Sequence, residues 1–312
     1  MAGTAKTAIL IAGPTASGKS ALAIELARAA NGVVINADSM QLFRELRLVT
    51  ARPSAEDEAQ VPHRLYGCLP ASEAFSTGAY LDLVRGEIEA VRAAGKLPVL
   101  VGGTGLYFRA LTQGFAEVPP IPAGIREQCR TLAAEGGISA VRSELAPLDP
   151  EAAERLMDLQ RLTRALEVVR GTGRTLADWQ AEAHGTPVLG PEGLVKVVLA
   201  PPRPWLHARI AQRAQMMLTP EGFAEVEGLL ALGLPDTLPA MRAIGIAEIG
   251  ALLRGDCSRD EAHFALTVAT RQYAKRQETF FRGQLADWPR RDPQAQGMAA
   301  LVREIINDFC VL

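Results

Sequence analysis

Three short apolar runs show no alternation of polar and apolar positions: TAILIAG from Thr7, GVVINAD from Gly32 and LPVLVGG from Leu97. Runs of this kind predict strands of a parallel sheet that is covered on both faces, because every side chain is then buried. Between the first two lies SALAIELARAANG, with apolar positions three and four apart and a stop at Asn31 and Gly32. Before the third lies TGAYLDLVRGEIEAVRAAGK, with Gly95 near its end. Both predict helices. Strand, helix and strand in alternation predict βαβ units, and so an α/β fold with a doubly wound parallel sheet.

The texture changes after LYFRALTQGF, at VPPIPAG, where Pro119, Pro120 and Pro122 interrupt any helix. From Ile125 to about His184 the pattern is helical throughout, as in DLQRLTRALEVVRGTG and in TLADWQAEA, the latter opened by a Thr175 cap with Asp178 three residues on. A further strand, LVKVVLAPP, returns the chain to the sheet. Residues 116–190 therefore read as an all-helical insertion domain in a core domain built from residues 1–115 and 191–312. The C-terminal part is mostly helix, including a long one opened by the capping box Ser258 to Glu261.

With 312 residues, 48% apolar and 22% charged, the chain is long enough for two domains and ordinary for a globular protein. The first apolar run is too short for a secretory core and is broken at Gly13 and Pro14. No later run approaches the ~18 apolar residues of a membrane span, so no membrane partner and a cytoplasmic location are expected. Cys68, Cys129, Cys257 and Cys310 are far apart, with no CxxC pair, and read as reduced packing residues. A net charge of -2 excludes a generally basic nucleic-acid coat but leaves room for a local cationic stripe.

The densest chemistry is GPTASGKS, Gly13 to Ser20, which fits GxxxxGK[ST] between a predicted strand and a predicted helix. In this phosphate loop (P-loop), glycines let successive N–H groups converge on anionic oxygens. Gly13, Pro14, Thr15, Ala16, Ser17, Gly18, Lys19 and Ser20 are the candidate phosphate ligands, with Ser20 also offering its hydroxyl to magnesium. Such loops commonly hold a nucleotide such as ATP, and NTPases add a magnesium-holding acid at the end of a buried strand. Here the third strand ends in Gly102 and Gly103 and offers none; the second ends in Asp38. Asp38 is equally compatible with a catalytic base, a helix N-cap or the missing magnesium acid. The residues alone specify an enzyme with a phosphate ligand and leave its reaction open.

Taken together, GPTASGKS, NADSMQLF, VTARPSAEDEAQVPHRL, PVLVGGTGLYFRAL, DLQRLTRALEV, HARIAQRAQMML, PAMRAIGIAEI and TRQYAKRQETFFRG resemble the tRNA dimethylallyltransferase family, also called tRNA isopentenyltransferases. The match runs in the family's order from Ala8 to Gly283. The resemblance implies transfer of a dimethylallyl group from dimethylallyl diphosphate to the exocyclic N6 of the adenosine just 3′ of the anticodon. Its partners would be a tRNA anticodon stem-loop and the diphosphate donor, its cofactor Mg2+, and its state monomeric. By this resemblance the loop around Lys19 holds the donor's diphosphate rather than ATP. Asp38, Thr104 and Arg209 take the catalytic positions: the base, a hydroxyl near the bridging oxygen, and a cation reaching the diphosphate. The tRNA-contact positions fall on Asp38, Ser39, Met40, Gln41, Thr104, Arg126, Gln160, Arg161, Leu162, Thr163, Arg164, Arg242, Gly245 and Ile246. Arg271, Lys275 and Arg282 form a cationic stripe on one predicted helix, suited to a phosphate backbone. The chain departs from the family's usual residues at Arg52, Leu159 and Ile246, where Lys, Pro and Tyr are more common. Rival readings are a prenyltransferase for free adenine nucleotides, a P-loop small-molecule kinase, and a nucleotide-dependent RNA-binding switch.

Overall fold

The computed structural model describes residues 7–116, 118–182 and 185–310. They divide into two compact units: one runs up to Thr112 and resumes at Val188, the other is Gln113–Pro187.

In the first unit β1 (Ala8–Ala12), β2 (Gly32–Asn36), β3 (His63–Arg64), β4 (Leu97–Gly102), β5 (Leu194–Leu199) and β6 (Arg290–Arg291) form one sheet. Its order is β3-β2-β4-β1-β5-β6, with every ladder parallel. All residues of β1, β2 and β4 are buried, which is why their sequences show no alternation. The chain leaves β1 for β2 two places away, then returns to insert β4 between them. The carboxyl ends of β1, β2 and β4 therefore converge on one crevice, the place where open parallel sheets bind ligands. The edge strands β3 and β6 were not evident in the sequence. At two residues each they carry no periodic signal.

One face of the sheet is covered by the helices Lys19–Ala29 and Met298–Cys310, through Leu22, Leu26, Leu301 and Ile305. A second apolar core gathers Phe43, Leu46 and Val49 with the helices Arg203–Met217, Pro220–Leu230, Ile246–Leu253 and Arg259–Gln284. The long helix opens with the expected capping box, in which Ser258 Oγ accepts from the Glu261 N–H and Glu261 accepts from the Ser258 N–H. No helix among the described residues is long and apolar enough to cross a membrane.

The second unit holds the helices Ala123–Leu145, Pro150–Arg155, Leu159–Thr172 and Leu176–Glu182 around Cys129, Val141, Leu145, Leu162 and Leu166. Gly137, with φ at 60°, breaks the first of these into two segments, a conformation that glycine adopts without steric cost. The helical stretch expected to end at His184 has its end outside the described residues. Of the cysteines, Cys129 is buried in this core while Cys68 is exposed and Cys257 half-buried, all as free thiols; the Cys310 side chain is not among the described groups.

Candidate active site

The phosphate loop links β1 to the helix Lys19–Ala29. Ala16 (φ 63°) and Gly18 (φ 89°) both take left-handed conformations, folding the loop back on itself, with the Ser17 N–H donating to the Pro14 carbonyl at 3.2 Å. The N–H groups of Gly18, Lys19 and Ser20 have no hydrogen-bond partner among the described residues. They are the open N-terminal donors of the helix, a ready anion site. Ser17 Oγ is buried and also without a partner. Buried polar groups are rarely left so, and this one lies within the same loop.

Lys19 is buried, its Nζ 3.3 Å from the Pro14 carbonyl. Burial lowers its pKa from 10.5 to about 8, against the opposing pull of Asp38 and with a further push from Arg213. Arg213 was missed in the sequence reading. It is buried enough that its pKa is lowered despite Asp38. Its Nη1 donates to Thr15 Oγ1, its Nη2 to the Val49 carbonyl at 2.8 Å, and its Nε has no partner. No carboxylate forms an ion pair with either Lys19 or Arg213 among the described residues. Two sequestered cations therefore face one nearby buried carboxylate, Asp38. An incoming anion would complete the balance. The available signal for Arg213 was its spacing: it stands four residues after Arg209 on the helix Arg203–Met217, on the same side.

Arg209 itself is exposed. Its Nε donates to the Ala16 carbonyl at 2.9 Å and its guanidinium stacks on Trp205 at 4.7 Å, so it braces the left-handed turn of the loop from outside.

Asp38 follows β2 and is 8% exposed. Its N–H donates to Asn36 Oδ1, Asn36 Nδ2 donates to the carbonyls of Asp38 and Leu65, and Asp38 Oδ1 accepts from the Met40 N–H at 3.1 Å. That last bond caps the turn after β2, and among the described residues Oδ2 has no protein donor. Burial together with the charge of Asp38 raises the pKa of Tyr66, Tyr80, Tyr107 and Tyr273. A carboxylate thus stands among neutral phenols, with Tyr80 and Tyr107 stacked at 3.7 Å and the Tyr80 hydroxyl donating to the Asn36 carbonyl. Thr104 Oγ1 accepts from the Ser39 N–H and shares its proton with Ser39 Oγ at 3.2 Å, tying the end of β4 to the loop that carries Asp38.

Gly103 is forced by this packing. A Cβ there would fall on the Gln277 amide and lie 3.0 Å from Asp38 Oδ2. Gly103→Ala is expected to cost about 1–3 kcal/mol of stability through overpacking, read as a lowered unfolding midpoint in urea.

For magnesium, the described residues contain no group of three or more His, Cys, Asp or Glu able to hold a metal. Ser20 is half-buried with no hydrogen bond to its hydroxyl, so it is free to act as a single hard oxygen ligand. That donor set fits a magnesium ion that arrives with phosphate oxygens and keeps waters. It does not fit a resident metal.

The expected tRNA-contact positions divide by burial. Arg126, Gln160, Arg161, Arg242, Arg271, Lys275 and Arg282 are exposed, and Ser39, Met40 and Arg164 partly so. Leu162 and Thr163 are buried. Leu162 is in the helical core, and Thr163 is 8% exposed with its hydroxyl donating to the Leu159 carbonyl, so neither side chain presents a surface. Ile246 is 3% exposed and packs in the second core, beside Gly245, whose φ of 114° and contact with Met217 admit no side chain. Gln41 is buried, with its amide donating to the carbonyls of Thr50 and Ala51. These five buried residues stand behind the surface. The departure at Leu159 is benign: it is the first residue of its helix, capped by Asp158, a position that takes Pro or Leu alike. Arg52 is spent on the carbonyls of Phe43 and Arg44. In the helical unit the buried Glu167 holds Arg130 and Arg164 at 3.3 Å each. Arg130 carried no sequence signal of its own.

The sequence model described as "IPP transferase" matches residues 41–284. Similar curated proteins include the tRNA dimethylallyltransferase of Rhizobium etli, 52% identical over 91% of this chain and 97% of that protein. The tRNA dimethylallyltransferase of Rhodopseudomonas palustris is 50% identical over 92% and 89%. Among solved structures, the full-length tRNA isopentenylpyrophosphate transferase of Bacillus halodurans superposes with a TM-score of 0.69 at 31% identity, over 98% of this chain and 97% of that one.

Proposed function

This chain belongs to the IPP transferase family, and on that premise we propose that it transfers a dimethylallyl group from dimethylallyl diphosphate to the exocyclic N6 of the adenosine 3′-adjacent to the tRNA anticodon. The observation that carries the chemistry is an anion-ready loop with the buried Lys19 and the half-buried Arg213 that bonds to its Thr15, set beside a buried carboxylate whose Oδ2 has no donor among the described residues.

N6 of adenine is a weak nucleophile because its lone pair is delocalised into the ring. As N6 attacks C1 of the donor, the carbon–oxygen bond breaks, diphosphate departs, and Asp38 Oδ2 takes the proton from nitrogen. Charge develops on the leaving oxygens. It is met by the buried Lys19, by Arg213 and by the N–H groups of Gly18, Lys19 and Ser20, which are held in place by the fold before the donor arrives. Magnesium held by Ser20 and the diphosphate would neutralise part of that charge. Arg209 and Thr104 act on position: the first braces the loop, the second holds the turn bearing Asp38. The target base must leave its stack to reach Asp38. We place the enzyme in the cytoplasm, as a monomer.

The exposed Arg126, Gln160 and Arg161 and the partly exposed Arg164 of the helical unit, and the exposed Arg242, Arg271, Lys275 and Arg282 of the sheet unit, would meet the anticodon arm. Arg161→Ala is expected to weaken tRNA binding evenly across sequences and to lower the slope of log K against log salt by about one. Filter-binding titrations from 50 to 300 mM salt, roughly the range over which phosphate contacts dominate, measure it.

Mass spectrometry of nucleosides from tRNA incubated with the protein, magnesium and dimethylallyl diphosphate tests the whole reading. N6-dimethylallyladenosine in the anticodon loop is expected. Unmodified tRNA overturns it, incorporation into AMP instead identifies a free-nucleotide prenyltransferase, and activity that requires ATP identifies a kinase.

A further inference from the structure

We propose that Gln277 is a positioning residue that sets the spacing between the phosphate loop and Asp38. The proposal rests on the reaction given above. Gln277 lies on the inner face of the helix Arg259–Gln284, is 5% exposed, and sits between the buried Ala274 and Phe281. Its Oε1 accepts from the Thr15 N–H at 2.9 Å, and its Nε2 donates to the Gly103 carbonyl at 2.9 Å.

Among the described residues no other side chain is hydrogen-bonded to both loops. Thr15 follows β1 and Gly103 follows β4, neighbouring strands in register up to Ala12 and Gly102. Beyond that pair the strands end and their loops diverge. Among the described residues no direct hydrogen bond connects residues 13–18 with residues 103–105. One side of the gap carries the diphosphate-binding groups. The other carries Thr104, whose hydroxyl holds Ser39 beside Asp38. The Gln277 amide also shares with Asp38 Oδ2 the small space above Gly103.

The side chain must donate at one end and accept at the other, which among neutral groups of this length only an amide does. Glutamate offers two acceptors, so it can hold Thr15 but meets the Gly103 carbonyl oxygen with another oxygen. Asparagine is one methylene too short to span both. Methionine fills the volume and makes neither bond. Gln277 touches no reacting atom in this account. Its effect passes through the distance between leaving group and base, where a displacement of about 1 Å costs about 10²-fold in rate.

The test compares wild type, Gln277→Met and Gln277→Glu in single-turnover transfer to tRNA and in pyrophosphate binding by calorimetry. For Gln277→Met we expect the transfer rate to fall by about 30- to 100-fold while pyrophosphate affinity stays within about threefold. For Gln277→Glu we expect a similar fall, because the carboxylate can keep the Thr15 bond but sets an oxygen against the Gly103 carbonyl. Transfer within about threefold of wild type in either variant overturns the proposal, as does a parallel loss of pyrophosphate affinity and rate, which would mark a merely structural role. Absence of transfer by the wild-type protein itself would instead sink the reaction on which the proposal is built.

Discussion

Asp38→Asn is expected to fold normally, to bind dimethylallyl diphosphate, and to transfer the dimethylallyl group about 10²- to 10⁴-fold more slowly. Asparagine is the informative substitution because its side-chain oxygen still accepts from the Met40 N–H, so the turn after β2 survives. What it removes is the proton-accepting power of the open Oδ2. A second consequence follows from charge. Asp38 raises the pKa of Lys19, so its neutralisation lets burial depress that lysine below about 8. Donor binding in Asp38→Asn should therefore match wild type near pH 6.5 and weaken at a lower pH than wild type does. Rapid-quench transfer assays with donor-binding titrations at several pH values separate the two effects. Undiminished transfer at pH 6.5 would remove Asp38 from the role of base.

The parts of this site that were readable in advance are those whose chemistry depends on neighbours in sequence. A phosphate loop needs its glycines and its lysine within eight residues of one another, so GPTASGKS declares itself. The buried strands β1, β2 and β4 were likewise legible as unbroken apolar runs, and Asp38 stood out as an acid at a strand end. Arg213 and Gln277 were not. Each is one polar residue on a helix rich in polar residues, and only the fold shows that its side is the buried one. Residue 277 meets residues 15 and 103, contacts that no periodicity encodes. The resemblance names contact positions by segment and does not say which of their side chains face outward. Leu162 and Thr163 lie between Arg161 and Arg164 in sequence but on the inner side of a helix, as three- and four-residue spacing requires.

Both late findings bear on one design. The sheet unit places Lys19 and Arg213 where water cannot solvate them well and supplies no carboxylate to pair with either. In the reaction proposed above, an arriving diphosphate would supply the missing negative charge, so that its binding energy is concentrated where charge will build in the transition state. Lys19, Arg213 and Asp38, from three distant segments, then distinguish the proposed site from a loop acting alone.

Lys19→Met is expected to weaken donor binding by about 10²-fold, the scale of a lost charge-assisted hydrogen bond, and to lower the transfer rate by a further 10²- to 10³-fold, roughly the effect of removing one donor to a developing oxyanion. In the wild-type protein the same group makes donor binding proton-linked. Free Lys19 titrates near pH 8, whereas beside a bound diphosphate it holds its proton. Above about pH 8 binding must take up a proton, and affinity should fall by about tenfold per pH unit. Lys19→Arg keeps a cation that does not titrate in this range, so its binding curve should stay flat to pH 9.5 even where its absolute affinity is lower. The free protein should show the opposite trend. Its folded Lys19 gives up a proton near pH 8 while the unfolded chain keeps it to 10.5, so the unfolded state holds more protons between those values. The Lys19 contribution to stability therefore rises with pH across that window by about 3 kcal/mol. Urea denaturation of wild type and Lys19→Met at pH 7 and pH 9.5 isolates it, with the variant gaining more at the lower pH. If donor affinity in wild type is unchanged from pH 7 to pH 9.5, Lys19 is not the charge that receives the diphosphate.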